Sequence, residues 1–268
     1  MKRILIKGAG DLATGTAVRL HRAGFPLVMT DIAQPTAVRR TVAFCQCMYD
    51  GVQTVEGITA RRVDSGAEAL AALEKGEIPV LNDPEANILR ELDFFAVVDA
   101  ILAKKNLGTA ITDAPVVLAL GPGFTAGVDC HGVVETQRGH DLGRLLTAGS
   151  AAANTGVPGN IGGYTVERII RAGADGPFEP AAAIGQAVKK GDLVARVAGV
   201  PTYARLDGVV RGMLPAGLVV TEGMKAGDID PRCEVRHCFT VSDKARAIGG
   251  GVLEGILYFG RRLHLWND

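Results

Sequence analysis

The sequence predicts an α/β protein: a Rossmann-like, mostly parallel sheet joined to a second, small all-β domain. Three observations predict it. Short apolar strands alternate with helical stretches through the first half of the chain. A Gly-x-Gly-x-x-Ala turn, Gly8-Ala9-Gly10-Asp11-Leu12-Ala13, directly follows the first strand. Between 184 and 220, apolar pairs separated by turns recur twice.

The composition narrows the class. The chain has 268 residues and is 47% hydrophobic, enough for a buried core and two modest domains. Its 29 basic and 29 acidic residues balance, so nothing electrostatic favours nucleic acid or an anionic membrane as partner. The longest clean apolar run, Ala114 to Leu120, is too short to span a bilayer. Lys7 and Gly8 break the apolar start before a signal-peptide core forms, so Ile4-Leu5-Ile6 reads as a first strand. Five cysteines without a C-x-x-C pair read as free thiols in a cytoplasmic protein.

The elements follow in order. After Ile4-Leu5-Ile6 and the glycine turn comes a helix with Leu12, Ala13, Ala17 and Leu20 on one side, closing near Ala23-Gly24. Pro26 to Thr30 is a second strand ending at Asp31, 21 residues after Gly10. In that layout Gly8 and Gly10 let the backbone approach a phosphate at the helix N-terminus, and Asp31 accepts from a ribose. Asp11 beside the turn would repel a phosphate unless it caps the helix. Thr59 to Val63 is a strand, and Ser65-Gly66-Ala67-Glu68 is a capping box opening a helix that ends at Lys75-Gly76. Strands follow at Ile78–Leu81, Phe94–Val98 and Val116–Leu120, with a short helix from Pro84. Gly8, Asp31, Asn82, Asp83, Asp99 and Gly121 follow or end strands, so they are expected near one rim.

Eleven glycines between Gly121 and Gly163 surround Cys130, His131, Glu135, Arg138, His140 and Asn154. Glycine weakens regular structure, so the run marks sharp turns or close approach. Gly121 and Gly123 are expected to face a ligand. Cys130 beside His131 is a candidate thiolate, with Glu135 or His140 as alternative partners. Arg138 suits an anion or an ordinary ion pair. The loop from Asn154 to Gly163 reads as a phosphate cradle or a hinge before a helix at Thr165 to Arg171. No metal site is expected, the Cys45-x-Cys47 pair lacking a second pair nearby.

The repeats at 184–195 and 209–220 resemble the barrel-sandwich hybrid (hammerhead) of biotinyl and lipoyl domains. Val197-Ala198-Gly199-Val200-Pro201 between them has no lysine, so no biotin or lipoate is expected. Ser242 is an N-cap for a last helix, in which Gly249, Gly250 and Gly251 point to close packing and Lys244 to an anion. The expected regions are 1–165, a Rossmann-like nucleotide-binding domain; 175–232, the barrel-sandwich hybrid; and 233–268, a helix returning to the first region.

Several of these motifs together carry a more specific resemblance. Gly8 to Gly15, Leu120 to Phe124, Asp129 to Thr136, Arg138-Gly139-His140, Asn154-Thr155-Gly156, and Ser242-Asp243-Lys244 with Gly249 to Glu254 resemble the YqeB-type accessory proteins of the selenium-dependent molybdenum hydroxylase system. Cys45 and Cys47 fall outside these motifs. The resemblance implies a role in maturing molybdenum hydroxylases related to xanthine dehydrogenase, with that enzyme as client. The expected ligand is a nucleotide or molybdopterin nucleotide. Cys130, assisted by His131 or His140, is the candidate carrier of sulfur or selenium. An NAD(P)-dependent oxidoreductase and a non-catalytic assembly scaffold are the alternatives, and the oligomeric state, a homo-oligomer included, is left open.

Overall fold

A computed structural model describes residues 2–266. The chain forms two compact units, one comprising the chain up to Pro35, Ala43–Asn154 and the residues from Val241 on, the other Thr36–Val42 and Thr155–Thr240.

The first unit holds a nine-stranded sheet. Its strands are β1 (Ile4–Lys7), β2 (Leu27–Asp31), β3 (Val52–Val55), β4 (Ile58–Val63), β5 (Ile78–Asn82), β6 (Ala96–Asp99), β7 (Val116–Leu120), β8 (Gly132–Val134) and β9 (Leu145–Leu146). Their order is β3-β4-β5-β2-β1-β6-β7-β8-β9. Central strands such as Ile4–Lys7 and Val116–Leu120 are buried throughout, which is why Ile4-Leu5-Ile6 and Val116–Leu120 read as apolar runs. The helices are α1 (Asp11–Arg22), α2 (Cys47–Asp50), α3 (Gly66–Glu74) and α4 (Asp243–Arg262).

Alternate strand residues face opposite layers. Leu5, Val97, Val117, Ala119 and Val133 join Ala69 and Ala72 of α3 in one core cluster. Leu118 and Val134 meet α4 on the other side. There α4 lies against α1, and glycine makes the approach possible. A Cβ at Gly249 would sit 3.0 Å from the Gly15 carbonyl oxygen, and one at Gly15 would sit 2.5 Å from the Ala245 methyl. The Ser242 hydroxyl caps α4 by accepting from the Ala245 N–H at 3.1 Å. Ser65 caps α3 in the same way, accepting from the Glu68 N–H at 3.2 Å.

The sheet corrects the expected architecture. It is mixed, because an antiparallel β3–β4 hairpin closes one edge and antiparallel β9 the other. Few of the crossovers are helical. The chain passes from β5 to β6 through a 3₁₀ turn at Asn87–Arg90, and from β6 to β7 without a helix or strand. The sequence explains this, since Pro84, Gly108 and Pro115 break those two connections. Alternating strands suggested a Rossmann-like domain, but the helices such a domain needs are absent from half of the links.

The second unit contains β10 (Ile169–Arg171), β11 (Gly176–Pro180), β12 (Ala187–Val188), β13 (Leu193–Val197), β14 (Val200–Tyr203), β15 (Gly208–Met213), β16 (Val219–Val220) and β17 (Lys225–Asp230). They form two four-stranded antiparallel sheets, β10-β17-β15-β12 and β14-β13-β11-β16. Phe178, Val194, Val210, Met213 and Ile229 are among the core residues. Val38 joins that core, and its carbonyl accepts from the Met213 N–H at 2.7 Å. This arrangement replaces the expected hammerhead. The repeat supplies β12, β13, β15 and β16 only, and four strands from outside it complete the sheets. Thr165 to Arg171 is not a helix either. A 3₁₀ turn at Val166–Arg168 leads into β10, as the paired isoleucines favour extended backbone. Residues 36–42, 155–165 and 233–240 all belong to this unit.

Neighbouring glycines of α4 make opposite demands. A Cβ at Gly250 meets nothing within 4 Å, whereas one at Gly251 collides with the Gly143 carbonyl oxygen. Gly250→Ala is therefore expected to stabilise the protein by up to about 1 kcal/mol, through helix propensity alone. Gly251→Ala is expected to cost roughly 2 kcal/mol or more, through overpacking. Urea unfolding midpoints moving in opposite directions check the pair.

Candidate functional site at the centre of the sheet

From β1 the chain crosses to β2 on one side, and from β6 it continues to β7 on the other. The boundary between β1 and β6 is thus the point where strand order reverses, and ligands of such sheets gather outside the carboxyl ends there. In register, Lys7 of β1 sits opposite Asp99 of β6. Both are nearly sealed, at 3% and 1% exposure. The Lys7 ammonium donates to the Thr109 hydroxyl at 2.6 Å, and that hydroxyl donates to Asp99 Oδ2 at 2.6 Å. Asp99 Oδ1 accepts from the Ile101 N–H at 3.1 Å. Asn106 braces the same loop, accepting from the Thr109 N–H at 2.8 Å and donating to the Thr109 carbonyl at 2.7 Å. The result is a buried cation and anion joined through one hydroxyl. An ammonium offers three donors, of which Thr109 takes one.

The predicted glycines border this cluster, but their open sides are largely filled. A Cβ at Gly8 would meet the Ala100 carbonyl oxygen at 2.9 Å, and one at Gly123 the Lys105 amide nitrogen at 2.6 Å. At Gly121 it would meet the Thr136 hydroxyl at 2.5 Å. Gly10 alone of these faces open space. Asp31 spends its carboxylate on the main chain, accepting from Ala9 N–H and Ile32 N–H at 2.8 Å each. Burial pushes its carboxyl up, partly offset by those two donors. The acid expected to bind a ribose thus fixes the glycine turn instead. Asp11 lies in the first turn of α1, whose N-cap Gly10 provides no side-chain cap.

The four predicted catalytic residues do not converge. Cys130 is fully buried with Val117, Ala119 and Val133. Burial, with lesser contributions from Asp129 and Asp99, pushes its thiol up to about 12. Such a thiol is neutral at ordinary pH and is no nucleophile. The His131 ring points to the other layer, against Phe259 at 5.7 Å between centroids. Its Nδ1 accepts from the Val117 N–H at 3.0 Å, which leaves the proton on Nε2. Burial lowers its pKa below the usual imidazole value. Glu135 is buried and ties two loops, accepting from the Gln137 and Ala152 N–H groups at 2.7 Å each. His140 is exposed in a turn. Arg138 makes a bidentate pair with Asp243, both contacts 2.8 Å, at the start of α4. Lys244 is half-buried in that first turn, and Asn154 is exposed at the end of its segment. Among the described residues, no group of three or more His, Cys, Asp or Glu side chains is placed to hold a metal ion, and no helix is long and apolar enough to cross a membrane.

Lys7 and Thr109 were missed in the sequence. Lys7 looked like an interruption of a strand. A basic residue ending one apolar strand and an acid ending another is the signal that could have paired Lys7 with Asp99. Nothing local marks Thr109.

Over 254 residues, 95% of this chain, the sequence is 54% identical to the uncharacterized protein YqeB of Escherichia coli (strain K12). The chain is YqeB-like. It spans about half of that relative, 47% of its length. No protein-family model matches the chain. Among solved structures, an aspartoacylase family protein from Mesorhizobium loti matches at 13% identity and a TM-score of 0.29, covering 85% of this chain and 84% of that one. A succinylglutamate desuccinylase/aspartoacylase from Rhodobacter sphaeroides matches at 16% identity and a TM-score of 0.27, with the same coverage. Overlaps this slight say nothing about chemistry in a YqeB-like chain.

The thiols offer a direct check on the burial. Cys233 is exposed, and Cys45, Cys47, Cys130 and Cys238 are buried. Titration of the native protein with a chromogenic disulfide at pH 8 is expected to label one thiol quickly. The other four should react only after denaturant is added.

Proposed function

We propose that the chain is a ligand-binding accessory factor whose site is the carboxyl end of β1 and β6, with Lys7 receiving a phosphate group. One observation carries the reading: a lysine buried to 3% exposure at the strand-order reversal, bonded to a loop hydroxyl. Lysine is rarely sealed without a partner, and sealing an ammonium is costly. A chain that needed only packing at this position would carry an aliphatic residue, as its neighbours Ile4, Leu5 and Ile6 do. Ligands of α/β sheets gather at the strand-order reversal, so a chargeable side chain there is placed to meet one.

The ligand class follows from the donor. An ammonium suits phosphate oxygen as a point charge. A nucleotide or molybdopterin nucleotide offers that group, and Lys7, sealed by the Thr109 loop in this form, would meet its phosphate portion once that loop moves aside. The motif resemblance read from the sequence extends the proposal to an accessory factor of a selenium-dependent molybdenum hydroxylase, with that enzyme as client; the relative itself is uncharacterized. Carriage of sulfur or selenium by Cys130 is no part of the proposal, because the thiol is sealed and protonated.

Calorimetric titration with inorganic pyrophosphate and with ATP tests the reading. Wild-type protein is expected to bind at least one of them. Lys7→Met should weaken that binding by about tenfold or more, the equivalent of about 1.4 kcal/mol. Lys7→Arg, which keeps the charge, should retain part of it. A folded Lys7→Met protein with wild-type affinity, or a wild type that binds neither probe, contradicts the proposal.

A further inference from the structure

We infer that residues 100–115 form a lid over this site, and that the Thr109 hydroxyl holds the place of a ligand bearing a phosphate next to a hydroxyl. The inference rests on the reading of Lys7 given above.

The segment joins β6 to β7 without helix or strand, and it docks at three points. Ala100 and Ile101 lie on Gly8, and Lys104 and Lys105 lie on Gly123. Thr109 inserts between Lys7 and Asp99. The first two contacts are backbone against bare backbone. Both glycines have positive φ, 93° and 108°, a region where a side chain is strained. From sequence these glycines are expected to face a ligand, and the protein's own main chain takes that space.

The closed segment is also under strain. Leu102 and Lys104, between the first two docking points, have φ of 62° and 64°. Left-handed backbone is disfavoured for both residue types and persists only where surrounding contacts enforce it. Docking contacts and backbone strain oppose each other in the closed form. Opening would release the strain and expose to water the Lys7 and Asp99 side chains that the Thr109 hydroxyl bridges. Little apolar surface resists the movement at that end: Lys104, Lys105 and Gly108 are exposed, and Thr109 is the buried plug.

The two hydrogen bonds of the plug define what replaces it. Thr109 Oγ1 accepts from Lys7 and donates to Asp99. A bare phosphate satisfies Lys7 with a stronger, charge-assisted bond, but it meets Asp99 only by keeping a proton on one of its oxygens, which holds it in a less ionised form. A ligand with a hydroxyl beside its phosphate satisfies both, the phosphate oxygen accepting from Lys7 and the hydroxyl donating to Asp99. Sugar phosphates, including the sugar-phosphate part of a nucleotide, have that pair of groups.

Hydrogen exchange on the ligand-free protein and calorimetry with ribose 5-phosphate and inorganic phosphate test this together. In Thr109→Val, the Ile101, Gly108 and Thr109-position amides should exchange about tenfold faster, and ribose 5-phosphate should bind more tightly than to wild type. In Leu102→Gly/Lys104→Gly, which removes the strain at one half-buried and one exposed position and should fold normally, exchange should slow and binding weaken. Wild-type protein should prefer ribose 5-phosphate to phosphate by about tenfold. Equal affinity for the two overturns the assignment of the hydroxyl. If both lid variants match wild type in exchange and affinity while Lys7→Met has lost binding, the site stands and the lid falls. If Lys7→Met binds like wild type, the site itself falls, whatever the exchange rates show.

Discussion

Lys7 carries a charge into the middle of a sheet made otherwise of aliphatic side chains, and the local structure answers to it. An ammonium removed from water must be hydrogen-bonded, and preferably matched by an anion. Asp99 on the adjacent strand supplies the anion and Thr109 the bridge. For Thr109 to reach that position, the chain after β6 must fold back over the strand ends. For it to fold back so closely, Gly8 and Gly123 must lack side chains. The buried charge thus goes with the path of a long irregular segment, which leaves the sheet where the Ala100 N–H donates to the Lys7 carbonyl at 2.8 Å.

A second constraint works on the opposite layer of the same unit. α4 lies on α1 and on the far strands through Gly15, Gly249, Gly251 and Gly255, where any side chain would collide. Each such glycine weakens the helix that carries it. Close contact along a 20-residue helix offsets that loss. In the dense run 121–163, Gly121, Gly123, Gly132 and Gly143 turn their open side toward the protein, whereas a Cβ at Gly127, Gly139, Gly149, Gly156 or Gly163 would meet nothing within 4 Å, and these five serve positive-φ turns.

That division explains what could be read in advance. The strands β1, β2, β4, β5, β6 and β7, the caps at Ser65 and Ser242, and the tight packing of the last helix were legible, because hydrophobic period and cap chemistry act over a few residues. Topology was not. Antiparallel β3 and β9 and the non-helical links depend on distant pairing, and the Gly-x-Gly turn after β1 gave the same local signal that a nucleotide-binding domain would. Asp31 shows the limit most clearly. It stands at the expected position, yet its oxygens serve Ala9 and Ile32. Cys130 and His131 are neighbours in sequence whose side chains enter opposite layers, a separation that follows from strand-like backbone. The bridge itself joins residues about a hundred positions apart, and no spacing rule connects Lys7 to Thr109.

Nuclear magnetic resonance on protein labelled at lysine Nζ and at backbone amides tests the central idea most directly. If Lys7 receives the ligand in place of Thr109, saturating ribose 5-phosphate will shift the Lys7 ammonium signal and move the Thr109 amide away from its ligand-free position. If the sugar phosphate binds while both signals stay where they were, Lys7 is only a structural charge and the account is wrong.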